Sequence, residues 1–316
     1  MRNRFADTFY ELGKVDRRLC VVVADISPAG SIARFRQEFP ERFVNTGVAE
    51  QIMIGMAAGM AQRGLRPFAY TIATFALYRP FEMVRDDLCY QNLPVTIVGI
   101  GGGVSYSTLG ATHHAQEDIA IACALPNMSV IAPCDPAEVE AATRWCAVQE
   151  RGPVYLRLCK AGEPDFTATL PEKFVFGKLR FLRRGRDVCI LTYGPIMKLA
   201  AQVADSLQAQ GRSVSLVSVH TLKPLDVAGL TEVLASHRET IVIEEMSPEG
   251  GLAMKVKALA YERYAGSRIH CFSLRDEFVH AYGSHEDVLA AHGLTLDNIV
   301  RGLSGSRTQL RASIHD

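Results

Sequence analysis

The chain is short of net charge, of cysteine pairing and of long apolar runs, and each shortage removes a class of function. Lys and Arg total 34 and Asp and Glu total 34, giving a formal net charge of +0. A balanced surface offers little grip to a polyphosphate backbone or an anionic bilayer, which argues against nucleic-acid and membrane partners. The eight cysteines (Cys20, Cys89, Cys123, Cys134, Cys146, Cys159, Cys189 and Cys271) include no CxxC and no paired spacing. Several sit inside apolar runs, as in Val188-Cys189-Ile190, and read as reduced, buried thiols and not as a metal or disulfide framework. No uncharged apolar stretch of about 18 residues is present to span a bilayer. The opening MRNRFADTFYELG carries Asp7 and Glu11 and puts Phe5, Phe9 and Leu12 at i, i+4, i+7. It reads as a first amphipathic helix stopped by Gly13, not as a cleaved leader, so a cytoplasmic location is expected.

What is present is ordinary globular material: 316 residues, 48% hydrophobic, enough to bury about three-quarters of the unfolded surface in one large or two medium domains. Short apolar runs rich in β-branched residues alternate with helical patterns, the signature of parallel α/β units. Strands are expected at 19–25, 42–45, 66–72, 94–100, 129–132 and 154–158, as continuous apolar runs covered on both faces. EQIMIGMAAGMAQR, residues 50–63, is apolar almost all round and predicts a buried helix. Near 160–185 the character shifts to KAGEPDFTATLPEKFVFGKLRFLRRGRD, an interdomain linker running into an edge strand. A second α/β set follows, with strands at 187–193, 214–219, 240–244 and 268–274. Its helices open at Pro195, with Gly211 as a stop, and lie near 226–236, 251–264 and 285–303. The fold class is α/β, with two doubly wound domains.

Four segments can carry chemistry. In GVAEQ, Glu50 opens an apolar helix; it serves either the helix dipole or, wrapped by Ile52, Met53, Ile54, Met56, Ala57 and Ala58, a ligand nitrogen with which it shares a proton. In YTIATFALYRPFEMVRDD, Thr74 can cap a helix at a strand's carboxyl end. Phe75, Tyr78 and Phe81 there form either a core stripe or a stacking wall for a flat heterocycle. GIGGGVSYSTLGATHHAQEDIA has Val104 where a dinucleotide fingerprint needs its third glycine, so it reads as a flexible loop bearing His113 and His114. HHAQED is not a zinc spacing, and no metal ligand is assigned. Finally, GPVYLRLCKAGEP delivers Arg157 and Lys160 at a strand's end, where they can hold a phosphate or carboxylate.

In this order and spacing, these segments resemble the pyrimidine-binding and C-terminal domains of transketolase-like thiamine diphosphate enzymes. The resemblance covers nearly the whole chain: Asp25–Ser27, GVAEQ, the TF-plus-aromatics helix, GATHHAQEDIA, PNMSVIAPCDPAE, GPVYLRL, DVCILTYG, HTLKPLD, EGGLA and HAYGSHE. It implies a pyrimidine-binding domain at 1–165, a linker at 166–184 and a transketolase C-terminal domain at 185–316. It also implies that Glu50 hydrogen-bonds the aminopyrimidine N1′ and that Phe75, Tyr78 and Phe81 pack on the cofactor. His113 would face the substrate with His114 beside it, and Lys160, with Arg157, would meet a sugar phosphate. The implied reaction is transfer of a two-carbon ketol unit between sugars. Alternatives are the E1 β subunit of a 2-oxoacid dehydrogenase and a 1-deoxyxylulose-5-phosphate synthase-like carboligase.

Two departures stand out. Leu109 replaces the family's aspartate four residues before the histidine, and Gly101–Gly103 replace a phosphate-contacting histidine, which implies a non-standard ketose or acceptor. The family's Gly-Asp-Gly motif for diphosphate and Mg2+ is absent from the 316 residues. Since oxygen ligands of that kind must hold the metal, the other half of the site is expected from an N-terminal, GDG-bearing partner chain, as in split transketolases, in an α2β2 assembly.

Overall fold

Among the described residues, twelve strands form two sheets. The computed structural model describes residues 1–26, 30–160 and 162–312, so Ser27 of the Asp25–Ser27 motif and the last four residues lie outside the described residues. The first half supplies β1 (Leu19–Val23), β2 (Phe43–Asn45), β3 (Arg66–Ile72), β4 (Thr96–Ile100), β5 (Ser129–Ile131) and β6 (Val154–Leu158). The second half supplies β7 (Arg180–Arg183), β8 (Val188–Thr192), β9 (Val214–Ser218), β10 (Thr221–Lys223), β11 (Glu239–Ile243) and β12 (Arg268–Phe272). The sheets run β10-β5-β6-β4-β3-β1-β2 and β12-β11-β8-β9-β7. Every pairing is parallel except β10 with β5 and β7 with β9. Central strands such as β1, β4, β6 and β8 are buried at every position, as sheets covered on both faces require.

β10 is the element that periodicity does not reveal. Three residues of the second half, Thr221 to Lys223, cross over to extend the first sheet. One apolar cluster accordingly runs from Ile97 and Tyr155 in the first sheet to Leu191, Val217 and Val242 in the second. β7 falls within the expected linker, at the edge of the second sheet.

Three local expectations change. The first helix runs Arg2–Val15, through Gly13, because a side chain at Gly13 would collide with the Phe35 ring; the glycine admits an aromatic and does not end the helix. Phe35 and Phe68 both meet Phe9 at 4.9 Å between centroids, and such pairs add about 0.5–1.5 kcal/mol beyond area burial. The Glu50–Gln62 helix is not buried all round: Met53, Ile54, Ala57 and Ala58 face the core, while Ile52 and Met56 are exposed. The helix expected over 285–303 is two helices, His285–Ala291 and Leu296–Ala312, parted at Gly293, which has positive φ.

Candidate active site

The carboxyl ends of β3, β4 and β6 deliver the chemistry, as parallel sheets do. β3 ends at Ile72 and turns into the Ala73–Leu77 helix. That helix is short. The chain re-forms as one turn at Phe81–Met83 and then as a π-helix over Val84–Tyr90, so the three aromatics sit on a broken element. Thr74 is not its cap; the cap position is Ile72, and the buried Thr74 Oγ1 has no hydrogen-bond partner among the described residues.

A row of side chains crosses the mouth of this edge. Glu50, 2% exposed, starts its helix and accepts a hydrogen bond from Arg79 Nη1 at 2.7 Å. The Arg79 guanidinium lies 4.7 Å from the centroid of Phe75. Phe75 meets the His113 ring edge-on at 5.2 Å, and Tyr106 meets it from another side at 6.2 Å. Lys160 Nζ stands 5.7 Å from the Tyr106 centroid. The structure therefore brings Glu50, Phe75, His113 and Lys160 into one line, joined by Arg79 and Tyr106, two residues that sequence reasoning missed. Thr112 Oγ1 lies 3.0 Å from His113 Nδ1, and burial holds the His113 imidazole below its ordinary pKa.

Beside this row opens a cavity of about 550 Å3, lined by Thr74, Tyr78, Phe81, His114, Glu117 and, from the second half of the chain, Phe278. Tyr78 donates its hydroxyl to Glu117 Oε2 at 2.8 Å. Burial, with Asp118 and Glu117 nearby, pushes the Tyr78 hydroxyl far above its usual pKa, so it stays a donor. His114 is buried, and burial lowers its pKa against the weaker pull of the nearby Tyr106 carbonyl and Glu245, which keeps the imidazole neutral. Of the two histidines, it is His114 and not His113 that lines the cavity.

Arg157 requires a correction. It was expected to meet a substrate anion, but it is the next-to-last residue of β6 and its side chain is 2% exposed. Its Nε donates to Asp118 Oδ2 at 2.8 Å, and its Nη2 donates to the carbonyls of Ala115 and Glu245. Tyr155 donates to the same Asp118 oxygen at 2.7 Å. The guanidinium also lies directly under Gly102, where a side chain would strike it. Arg157 is a strut beneath the glycine loop. A charged residue inside the continuous apolar run VYLRL was the available signal, since a central strand admits an arginine only with a buried partner. Leu109, by contrast, is exposed, 48% by area.

Residues 1–162 match the family model for the transketolase pyrimidine-binding domain, and residues 177–299 match the transketolase C-terminal domain. The chain belongs to the transketolase family. Among curated transketolase relatives, it is 32% identical over 300 residues to an apulose-4-phosphate transketolase chain of Phocaeicola vulgatus, covering 95% of each. It is 33% identical over 306 residues to the 6-deoxy-6-sulfo-D-fructose transketolase subunit SqwH of Clostridium sp., covering 93% of this chain and 94% of that one. It also matches the 1-deoxy-D-xylulose-5-phosphate synthase of Bacillus mycoides at 33%, spanning 47% of that longer protein. A solved structure described as a split gene transketolase, inactive beta4 tetramer, superposes with a TM-score of 0.87 at 33% identity, covering 97% of this chain and 98% of that one. This is therefore a transketolase-type transferase chain of the split form.

Transketolase membership brings thiamine diphosphate, and the residues present fit its flat, polar head. Tyr78, Phe81 and Phe278 give the cavity aromatic surface for a heterocycle, and Thr74, His114 and Glu117 add polar residues to the same lining. No described helix is long and apolar enough to cross a membrane.

Proposed function

We propose that this chain is the β-like half of a thiamine diphosphate-dependent transketolase that moves a two-carbon ketol unit from a ketose donor to an aldose-type acceptor in the cytoplasm. The observation that carries the proposal is the cavity lined by Tyr78, Phe81, Thr74, His114 and Glu117 beside the Glu50–Arg79–Phe75–His113 row. When bound, thiamine diphosphate supplies the electron sink that lets a carbon–carbon bond beside a ketose carbonyl break and re-form.

The chain's own residues do the rest. Glu50 accepts a hydrogen bond at the aminopyrimidine N1′ and holds the shared proton there; its carboxylate is buried, and its present partner, Arg79, is 41% exposed and free to swing aside. Phe75, Tyr78 and Phe81 pack on the heterocycle and exclude water from one face. His113, between Phe75 and Tyr106, meets the donor's carbonyl or hydroxyl, and His114 lines the neighbouring cavity. Lys160, on the rim, attracts an anionic sugar. Leu109 and the Gly101–Gly103 loop remove the hydroxyl and phosphate contacts of ordinary transketolases, which favours a non-standard sugar.

Domain limits of 1–165, 166–184 and 185–316 suit this reading, with β10 tying the second domain back to the first sheet. With no Gly-Asp-Gly in the chain, the diphosphate and Mg2+ are held by a GDG-bearing partner subunit in an α2β2 assembly. The test is to mix the purified chain with that partner, thiamine diphosphate and Mg2+ and to follow ketose cleavage. Activity is expected only in the mixture, and full activity of this chain alone would defeat the proposal.

A further inference from the structure

The second half of the chain contributes little to the cavity wall beyond Phe278, yet it grips the histidine loop at several points. Glu245, 1% exposed, follows β11. Its Oε1 accepts the Val104 N–H at 2.6 Å and lies 2.8 Å from His285 Nε2, the first residue of the His285–Ala291 helix. Gly103, at φ +66°, lies so close that a side chain there would strike this carboxylate. Gly103 in turn pairs with Ala115 in a two-way backbone bridge, N to O at 3.1 Å and 2.8 Å. Ala115 is the residue next to His114. On the other side, Ser247 N donates to the Gln116 carbonyl at 2.9 Å, and Ser107 Oγ donates to the Gly283 carbonyl at 2.8 Å. Both flanks of the loop are thus fastened to residues 245–247 and 283–285.

We infer that the Glu245–His285 pair is a positioning clasp, through which the C-terminal half sets the placement of His113 and His114 against the substrate. The reasoning is geometric. Loop 101–117 has glycines at 101, 102, 103 and 110, and three of them, Gly101, Gly103 and Gly110, have positive φ. A chain so rich in conformational freedom holds two histidines in register only where its backbone groups are bound from outside. Glu245 Oε1 supplies the anchoring acceptor, and His285 Nε2 meets the same oxygen and so fixes the carboxylate's orientation. The charged and titratable groups that face the pair are Arg157 under Glu245, Glu286 and Glu163 toward His285, Cys159 beside Glu245, and His114 and His292 at longer range. Arg157 Nη2 joins the two halves, donating at once to the Ala115 and Glu245 carbonyls. Neither clasp residue lines the cavity, so both act through the loop.

This inference rests on the reading that the loop faces the reacting sugar, and its test has one readout that does not. Hydrogen exchange is measured on the full chain for wild type, His285→Gln, Glu245→Gln and the surface control Arg144→Ala, whose guanidinium pairs with Glu140 one turn earlier on its own helix. In both clasp variants the amides of Val104 and Ala115 are expected to exchange about tenfold faster, while amides of β3 and β4 keep their protection. In the assembled enzyme, His285→Gln should lower kcat about tenfold at unchanged thiamine diphosphate affinity, and Arg144→Ala should leave both loop exchange and kcat unchanged. Unchanged exchange over residues 101–117 in both clasp variants would overturn the clasp, whatever the activity does. If the variants exchange as expected but the wild-type assembly transfers no ketol unit, the clasp stands and the functional reading falls.

Discussion

Replacing Arg157 with methionine removes one partner of an ion pair whose side chains are 2% and 0% exposed. Methionine keeps most of the stem's volume, so the change is chiefly electrostatic. Asp118 Oδ2 would retain only the Tyr155 hydroxyl, the Glu245 carbonyl would lose its Arg157 donor, and the Ala115 carbonyl would keep only the Gly103 N–H. Breaking a buried pair from one side costs about 3–5 kcal/mol, because the remaining charge is left uncompensated in the interior. At about 2 °C per kcal/mol for a chain of this size, the melting temperature should fall by about 6–10 °C in calorimetry. The double variant Arg157→Met, Asp118→Asn removes the stranded charge as well and should be about 2 kcal/mol more stable than the sum of the single changes predicts. A loss below about 1 kcal/mol in Arg157→Met, with strictly additive behaviour in the double variant, would refute the strut and return Arg157 to the ligand side of the loop.

Gly103→Ala should cost about 2 kcal/mol, from the left-handed backbone at φ +66° and the collision with Glu245, and limited proteolysis should find loop 101–117 opened. The clasp also has a pH signature, read as the stability difference between wild type and His285→Gln. The Glu245 carboxylate raises the His285 pKa above 6.5, so that contribution is fully present below 6.5 and is lost as pH rises through the higher folded-state value. Burial works to raise the Glu245 pKa, but His285, Arg157 and the Val104 N–H outweigh it and hold it below 4.5, so its share is present above 4.5 and is lost as pH falls through the lower folded-state value. The difference, roughly 1–2 kcal/mol, should therefore be greatest between pH 4.5 and 6.5 in urea titrations; one that grew from neutral to alkaline pH would contradict the assignment.

The strands were legible wherever β-branched residues run without a break: 154–158 in the sequence is β6 to the residue, and most other strands are displaced by one or two at an end. β10 was not, because three residues that pair only with a distant strand leave no period. Gly13 shows why a stop signal misleads: the same missing side chain that ends helices also lets a ring pack against one. Exposure of Ile52 and Met56 could not be read from an all-apolar helix, whose pattern does not say which face meets this chain's core. Of the candidate residues, Phe75, Tyr78, Phe81, His113, His114 and Lys160 were singled out by residue type near strand ends, and Glu50 as the carboxylate that opens an apolar helix. What pairs with them was not, since Arg79 on Glu50, Glu117 on Tyr78 and Glu245 under Gly103 are contacts set by tertiary packing across 29, 39 and 142 positions. The glycine loop gave freedom in the sequence, and the structure supplies the groups that remove it.

The most direct test of the central claim is Glu50→Gln measured in the assembled enzyme. The chain and a GDG-bearing partner are combined with thiamine diphosphate and Mg2+, and ketol transfer is followed at saturating donor. Glutamine keeps the shape of a side chain that is 2% exposed but cannot hold the shared proton, so kcat should fall at least about 100-fold while the assembly stays intact. Undiminished ketol transfer by Glu50→Gln would contradict the account.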